Sequence, residues 1–195
     1  MKAILPAFTV LLLLAGCNLN ENRATPSNST SNRAEAPADT PSLKTVEPAV
    51  LGDTPRVSRA GDLWFAGQPS EGDWQAVTDA GIKRVIDLRD RAEDRGYDES
   101  VKLEGLGLGY QVFEVRKEGF SPEVVEPAVK ALSEAEKSGE GTLVHCASSN
   151  RVGSLVAIWR YRQGEDIEKA LEAGKAAGAK SDATARKYIE QHPNP

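Results

Sequence analysis

The chain has 195 residues, which is enough for one folded domain with a sizeable hydrophobic core. Its net charge of −5 is opposite in sign to the basic surface of nucleic-acid-binding proteins, so we expect no nucleic-acid partner. A content of 39% hydrophobic and 6% aromatic residues is typical of a small α/β protein that also carries an unstructured segment.

The first residues are organised like a bacterial lipoprotein leader. A positive start, Met1-Lys2, is followed by an apolar stretch over residues 4–14 that is too short to span a bilayer comfortably. Small residues then precede Cys17, and this order resembles a lipobox. The resemblance implies that residues 1–16 are a signal peptide and that lipidated Cys17 anchors the protein to the outer or cytoplasmic membrane. Asn18 after the cysteine favours the outer membrane of a Gram-negative cell, with the protein facing the periplasm.

The next segment, residues 18–54, is rich in Asn, Ser, Thr, Ala, Glu and Pro and contains no aromatic residue. Such a composition cannot bury enough apolar area to offset the entropy lost on ordering. We therefore predict that residues 17–55 form the lipidated cysteine and a disordered linker, and that residues 56–195 form the folded domain.

The predicted domain alternates between strand and helix patterns, and Ser70 is the expected N-cap of its first helix. This alternation predicts an α/β fold, a three-layer sandwich with a central parallel-rich sheet, in which ligands bind at the carboxyl ends of the strands. Strands are predicted over residues 62–66, 82–88, 110–115 and 142–145, and helices over residues 70–80, 97–106, 122–137, 152–162, 165–177 and 182–191.

The candidate site follows the last predicted strand, which ends in His145 and Cys146. Four small or polar residues and Arg151 come next, at the start of an amphipathic helix. Backbone N–H groups of such a loop and helix start bind anions. A cysteine there is a candidate thiolate nucleophile, and an arginine fork can hold two oxygens of an oxyanion. The alternative is a small buried cysteine that only packs. The predicted anion-binding residues are Ala147, Ser148, Ser149, Asn150 and Arg151.

Cysteine usage supports a chemical role for this residue. If Cys17 is acylated, Cys146 is the only thiol of the mature chain, and no intramolecular disulfide can form. An unpaired cysteine is a liability in an oxidising compartment, so its presence favours retention for chemistry.

Residues 145–151 resemble the signature loop of the protein tyrosine and dual-specificity phosphatases. They resemble more closely that of the bacterial beta-lactamase hydrolase-like proteins, in their phosphatase-like domain, although nothing in the chain supports beta-lactamase activity. Residues 65–70 and 80–89 match the same family, and the resemblance runs from about residue 62 to residue 188. It implies hydrolysis of a phosphomonoester through a cysteinyl-phosphate on Cys146.

Two features depart from the resembled phosphatases. Four residues separate Cys146 from Arg151, whereas the tyrosine and dual-specificity phosphatases have five and the rhodanese sulfurtransferases have four. The beta-lactamase hydrolase-like relatives share the short loop, so the loop length defines their subgroup without deciding its chemistry. A shorter loop is a smaller cradle, better matched to a sulfane sulfur than to a phosphoryl group. Ser149 stands where many relatives carry glycine, so a positive φ there would strain the backbone or displace an N–H from the cradle.

The general acid is missing from its expected place. In the resembled phosphatases an aspartate follows the strand that corresponds to residues 110–115, but this chain has no Asp between Glu99 and Glu165. Glu114 and Glu118 are the possible acids, with a solvated surface charge as the alternative for each.

Three further residues are expected to support the loop. Asp87 and Arg89, at the end of a neighbouring strand, either face the pocket or pair beneath the loop. His145 is expected to point away from the anion and buttress the loop, with a satisfied structural histidine as the alternative.

Three function classes remain open from the sequence. The first is the cysteine-dependent phosphatase, the second a rhodanese-like sulfurtransferase or persulfide carrier, and the third a non-catalytic anion-binding envelope lipoprotein. The only other histidine is His192, so neither a metal cluster nor a histidine-based triad is predicted, and we expect no cofactor.

Overall fold

The computed structural model describes residues 43–116 and 119–194. The predicted signal peptide, Cys17, the linker as far as residue 42 and the candidate acid Glu118 lie outside these residues. The strands are β1 (Glu47–Pro48), β2 (Ser58–Ala60), β3 (Leu63–Ala66), β4 (Arg84–Asp87), β5 (Gly109–Val112) and β6 (Thr142–His145). The helices are α1 (Trp74–Asp79), α2 (Glu99–Gly105), α3 (Pro122–Ser138), α4 (Asn150–Arg162), α5 (Ile167–Ala176) and α6 (Ala183–Gln191).

The strands form one six-stranded sheet in the order β1-β2-β3-β6-β4-β5. The four strands β3, β6, β4 and β5 are parallel to one another, whereas β1 and β2 extend the sheet in antiparallel fashion. All four residues of β6 are buried, as expected for a central parallel strand that is covered on both faces. The parallel-rich α/β prediction is confirmed.

The sheet is the middle of three layers, because its alternating side chains enter two separate cores. Val144 of β6 packs in a core with α3, α4 and α6, while its neighbour Leu143 packs in a second core with Trp74 of α1 and Leu103 of α2. Side chains of adjacent strand residues point to opposite faces, so each strand supplies both cores.

Helix α1 is shorter than predicted. It begins at Trp74 rather than at Ser70, which stands before a turn. The carboxylate of Asp73 explains the difference, because it accepts hydrogen bonds from the backbone N and from Oγ of Ser70 at 2.9 and 2.7 Å. Ser70 therefore caps no helix. The predicted inward residues of this helix, Trp74 and Val77, are buried.

The folded domain begins earlier than the predicted boundary at residue 56. Residues 43–55 belong to it, because β1 pairs with β2, and Val46 and Leu51 are buried in the two cores. Asp53 is also fixed, since its backbone N donates to Asp73 at 2.7 Å. The composition of this segment did not predict that it is folded, because its two apolar side chains pack in cores that are formed by residues elsewhere in the chain.

This boundary predicts the effect of a truncation. A chain that starts at Arg56 should be less stable than one that starts at Leu43, because it loses Val46 and Leu51 from the cores. Burial of two such side chains contributes about 3–6 kcal/mol, a large part of a typical domain stability. The free energy of unfolding by denaturant would measure this difference, and equal values for the two chains would contradict the assignment.

Candidate active site

Cys146 lies directly after β6, between the ends of two neighbouring strands. Its predecessor His145 is aligned with Ala66 of β3 and with Asp87 of β4. The Cys146 side chain is 1% exposed, and its backbone N donates to Ala66 O at 3.4 Å. The cysteine therefore occupies the carboxyl edge of the sheet, where ligands bind in open α/β folds.

The first turn of α4 supplies free backbone donors next to this cysteine. Within the described residues, no protein acceptor binds the backbone N–H groups of Asn150, Arg151 or Val152. The first N–H groups of a helix have no intrahelical partners and carry partial positive charge, so they attract an anion. These residues include two of the predicted anion-binding set.

Ser149 adopts the strained conformation that the sequence suggested. Its φ is 64°, in the left-handed region that favours glycine. The side chain compensates for this strain by donating from Oγ to the carbonyl oxygen of Ala177 at 2.8 Å. Gly178 must lack a side chain here, because a Cβ would lie 2.6 Å from Ser149 Oγ. Ser149 therefore joins the loop to the connection between α5 and α6.

Arg151 is held in place by Glu93, a residue that sequence analysis missed. Its Nη1 and Nη2 donate to the two carboxylate oxygens of Glu93 at 2.5 and 2.7 Å, and Nη1 also donates to Val115 O at 3.0 Å. The sequence analysis expected the guanidinium to bind two oxygens of an oxyanion. In the structure, this end of the guanidinium binds the two carboxylate oxygens of Glu93 instead. Nε and the remaining Nη2 hydrogen form a second edge, which can bind a tetrahedral oxyanion.

The ion pair changes the protonation behaviour of both partners. The hydrogen bonds from Arg151 lower the pKa of Glu93 from 4.5 to about 2. The pKa of Arg151 is raised, mainly by the hydrogen bond to Glu93. The ion pair therefore keeps the Arg151 guanidinium charged.

Asp87 and Arg89 are buried at the end of β4 and pair with neighbouring residues. The Asp87 carboxylate is fully buried and accepts from the backbone N of Arg89 at 2.8 Å and from Nη2 of Arg95 at 2.7 Å. Arg89 Nε lies 3.4 Å from Glu93 Oε2. Arg89 thereby helps to orient the carboxylate that holds Arg151.

His145 belongs to the same buried cluster. Its Nε2 lies 3.4 Å from Glu99 Oε1 and its Nδ1 lies 4.0 Å from Asp87 Oδ1, but neither nitrogen forms a hydrogen bond within the described residues. His145 is thus covered and faces two carboxylates, beneath the loop rather than in it. The two unpartnered nitrogens differ from those of a fully satisfied structural histidine, and the buttressing role stays a prediction.

Arg95 supplies a positive charge to the buried cluster of Asp87, Glu99 and His145. Ligand atoms of Asp87, Glu99 and His145 lie within 4.8 Å of one another, a set that could bind a metal ion. However, Arg95 already contacts both carboxylates, and the hydroxyl of Tyr110 lies within hydrogen-bond distance of both, at 3.0 and 3.1 Å. Burial and the two carboxylates raise the pKa of Tyr110, so this hydroxyl keeps its proton. These partners occupy the places that a cation would take.

The candidate acid Glu114 is held by two arginines. Glu114 is paired with Arg91 and Arg116, at 2.5 and 3.5 Å, so its carboxylate is engaged at the surface. Asp90 lies 3.7 Å from Arg116 as well, and its backbone N donates to Glu93 at 2.9 Å.

The missed residues share a place in the fold. Glu93, Arg95 and Glu99 all follow β4 in a charge-dense stretch over residues 87–99. The position of this stretch, after a strand that neighbours β6, is the signal that could have placed it beneath the loop.

This fold and this loop define a protein of the tyrosine and dual-specificity phosphatase class. The chain belongs to the family described as "DSP-PTPase phosphatase fused to NAD+ Kinase", which matches residues 36–192.

Solved structures agree with this class at the level of the fold. P. aeruginosa TpbA has a TM-score of 0.59 at 21% identity, and the match covers 79% of this chain and 92% of the TpbA chain. A putative phosphatase from Shewanella putrefaciens CN-32 has a TM-score of 0.58 at 18% identity, and the match covers 74% of this chain and 97% of the Shewanella chain. The structure described as Tk-PTP in the active form has a TM-score of 0.60 at 19% identity, covering 71% and 98%.

Proposed function

We propose that this protein is a cysteine-dependent phosphatase that hydrolyses a phosphomonoester. The observation that carries the proposal is the meeting of Cys146, the free N–H groups of α4 and an arginine fixed by Glu93 at one edge of the sheet. Such an arrangement places a nucleophile beside donors aimed at a developing oxyanion.

The proposed reaction has two steps. The Cys146 thiolate attacks phosphorus, a sulfur–phosphorus bond forms, and the phosphorus–oxygen bond to the leaving group breaks. Water then attacks the cysteinyl-phosphate, which releases inorganic phosphate and regenerates the thiolate. The free edge of Arg151 and the α4 N–H groups bind the phosphoryl oxygens in both steps. The leaving oxygen takes a proton from solvent or from an acid, with Glu114 and Glu118 as the candidates.

The ligand bound to a solved neighbour supports this class of chemistry. A Cys-to-Ser variant of P. aeruginosa TpbA, at 19% identity, was solved in complex with phosphotyrosine. Aryl phosphates are therefore the first substrates to test. They also suit a chain without an evident acid, because a phenoxide leaves with less protonation than an alkoxide.

The short loop favours a second candidate, a rhodanese-like sulfurtransferase. Sulfur transfer to and from Cys146 needs no acid for an alkoxide, and four residues between cysteine and arginine match the rhodanese loop. Purified protein should be assayed side by side with an aryl phosphate and with thiosulfate plus cyanide. Release of phosphate supports the phosphatase, whereas thiocyanate formation alone overturns it in favour of the sulfurtransferase.

We propose further that the protein is a lipid-anchored component of the bacterial envelope. Among the described residues, no helix combines the length and apolar character that a membrane crossing requires. The anchor rests instead on the lipobox-like sequence before Cys17.

Replacement of the anchoring cysteine tests this proposal. Cys17→Ser should release the protein from the membrane fraction or leave the leader uncut, because the acylated thiol is lost. Fractionation with mass measurement of the N-terminus would detect either result. Normal processing with unchanged membrane association would exclude lipidation at this cysteine.

A further inference from the structure

Arg56 places a cationic side chain against the candidate anion loop. Its Nη1 donates to the carbonyl oxygen of Ser148 at 3.4 Å, two residues past Cys146, and the Arg56 side chain is exposed. A guanidinium has five N–H donors, and this long contact uses one of them. The other donors are available to a ligand bound in the loop.

The backbone around Arg56 is held rigidly in this position. Its φ is 56°, a left-handed conformation that costs an ordinary residue about 1 kcal/mol. The neighbouring Pro55 accepts a hydrogen bond from Gly67 N at 2.8 Å, and Gly67 in turn forms a bridge with Ser148. Gly67 must lack a side chain, because a Cβ would lie 2.7 Å from Pro55. Residues 55 and 56 are therefore fixed to the loop by close backbone contacts.

The charge of Arg56 is not balanced by a carboxylate within the described part of the chain. The other arginines around the loop are all in ion pairs there: Arg89 and Arg151 with Glu93, Arg91 with Glu114, Arg95 with Asp87, and Arg116 with Asp90. Lys180, whose backbone N donates to Asn150 Oδ1 at 2.7 Å, also forms no ion pair there. Of these two residues, Arg56 contacts the loop with its charged group, at Ser148. Among the described residues, the Lys180 side chain makes no contact with the loop.

We propose that Arg56 determines substrate specificity by binding a second anionic group of the substrate, such as a carboxylate close to the scissile phosphate. This inference rests on the proposed phosphatase function, because the scissile phosphate must occupy the loop. A strained residue that holds an unbalanced charge at the loop is typical of a ligand contact. The substrate class is a phosphomonoester that carries a further negative charge, for example a phosphotyrosine next to an acidic residue.

A matched pair of substrates isolates this contact. Carboxyphenyl phosphate and carbamoylphenyl phosphate have the same shape, and only the first carries the second charge. Wild-type protein should prefer the carboxylate in kcat/KM by about two- to fivefold, the range expected for an exposed ion pair. Arg56→Asn should abolish this preference through KM while leaving the carbamoyl substrate unchanged, because asparagine tolerates a positive φ but carries no charge. The preference should also shrink in 0.5 M salt.

Lys180→Gln is the matched control, because it removes one positive charge from a residue that contacts Asn150 through its backbone N and not through its side chain. It should keep the preference. An equal loss of preference in both variants would show a long-range effect of net charge and would overturn the role of Arg56. An equal loss of activity on both substrates in Arg56→Asn would show that the arginine only supports the Ser148 carbonyl, with the same consequence.

Binding separates this inference from the hydrolase proposal. The corresponding carboxyphenyl and carbamoylphenyl phosphonates can be titrated calorimetrically against the Cys146→Ser chain, with and without Arg56→Asn. A carboxylate preference that depends on Arg56, in a protein that hydrolyses neither phosphate, would retain the anion contact and reject the phosphatase. Equal binding of both phosphonates by a protein that hydrolyses both phosphates would reject Arg56 alone. Absence of phosphonate binding, in a protein that hydrolyses neither phosphate, would reject both.

Discussion

Cys146→Ser should lower the rate of phosphate release by about 10³-fold or more, while leaving oxyanion binding intact. The thiolate is the attacking group in the proposed reaction, and removal of a nucleophile costs at least this much in other hydrolases. Serine has nearly the same size, so the α4 N–H groups and Arg151 should stay in place to bind vanadate or phosphate. Aryl-phosphate kinetics and calorimetric titration with vanadate measure the two effects separately.

Arg151→Lys provides the comparison. This variant should weaken both turnover and vanadate binding, because an ammonium cannot pair with Glu93 and present a second edge to an oxyanion at once. In the wild-type protein, bound vanadate or phosphate should also slow alkylation of Cys146. Full phosphatase activity in Cys146→Ser, or alkylation that ignores added oxyanions, would leave Cys146 as a packing residue.

The candidate site was accessible to sequence analysis because it is local. The apolar run of β6 ends in His145-Cys146, and Arg151 follows within the first turn of a helix, so strand, loop and helix start are read from one continuous segment. The strand bounds 142–145 agree with the structure for the same reason. Even the strain at Ser149 could be anticipated, since only the backbone conformation at one position was in question.

The residues that hold this site in place were not accessible, because they depend on tertiary pairing. Glu93 lies 58 positions before Arg151 in the chain, and Glu99 meets His145 only because β4 and β6 are neighbours in the sheet. The linker prediction was wrong over residues 43–55 for a similar reason. Composition describes what residues 43–55 can bury on their own, whereas Val46 and Leu51 enter cores formed by other segments.

Glu93→Gln should lower kcat/KM by about 10²-fold, the cost expected when a positioned catalytic group is displaced by about 1 Å. The amide offers one acceptor where the carboxylate offers two, so Arg151 loses its bidentate partner. The matched control is Glu168→Gln, which breaks a bidentate pair with Arg186 at 2.9 and 3.0 Å on the exposed surface of α5. This control should leave activity unchanged.

The same variant should change how stability depends on pH. The pKa of Glu93 falls from 4.5 to about 2 in the folded protein, mainly through the hydrogen bonds from Arg151. A carboxylate with a lowered folded pKa contributes stability that is fully present above its unfolded pKa and is lost as the pH falls through the folded pKa. The difference in unfolding free energy between wild type and Glu93→Gln should therefore be largest near pH 7, shrink below pH 4.5 and vanish near pH 2. Denaturant unfolding across this range would measure it, and a difference that stays constant with pH would show that Glu93 is not held by Arg151 in solution.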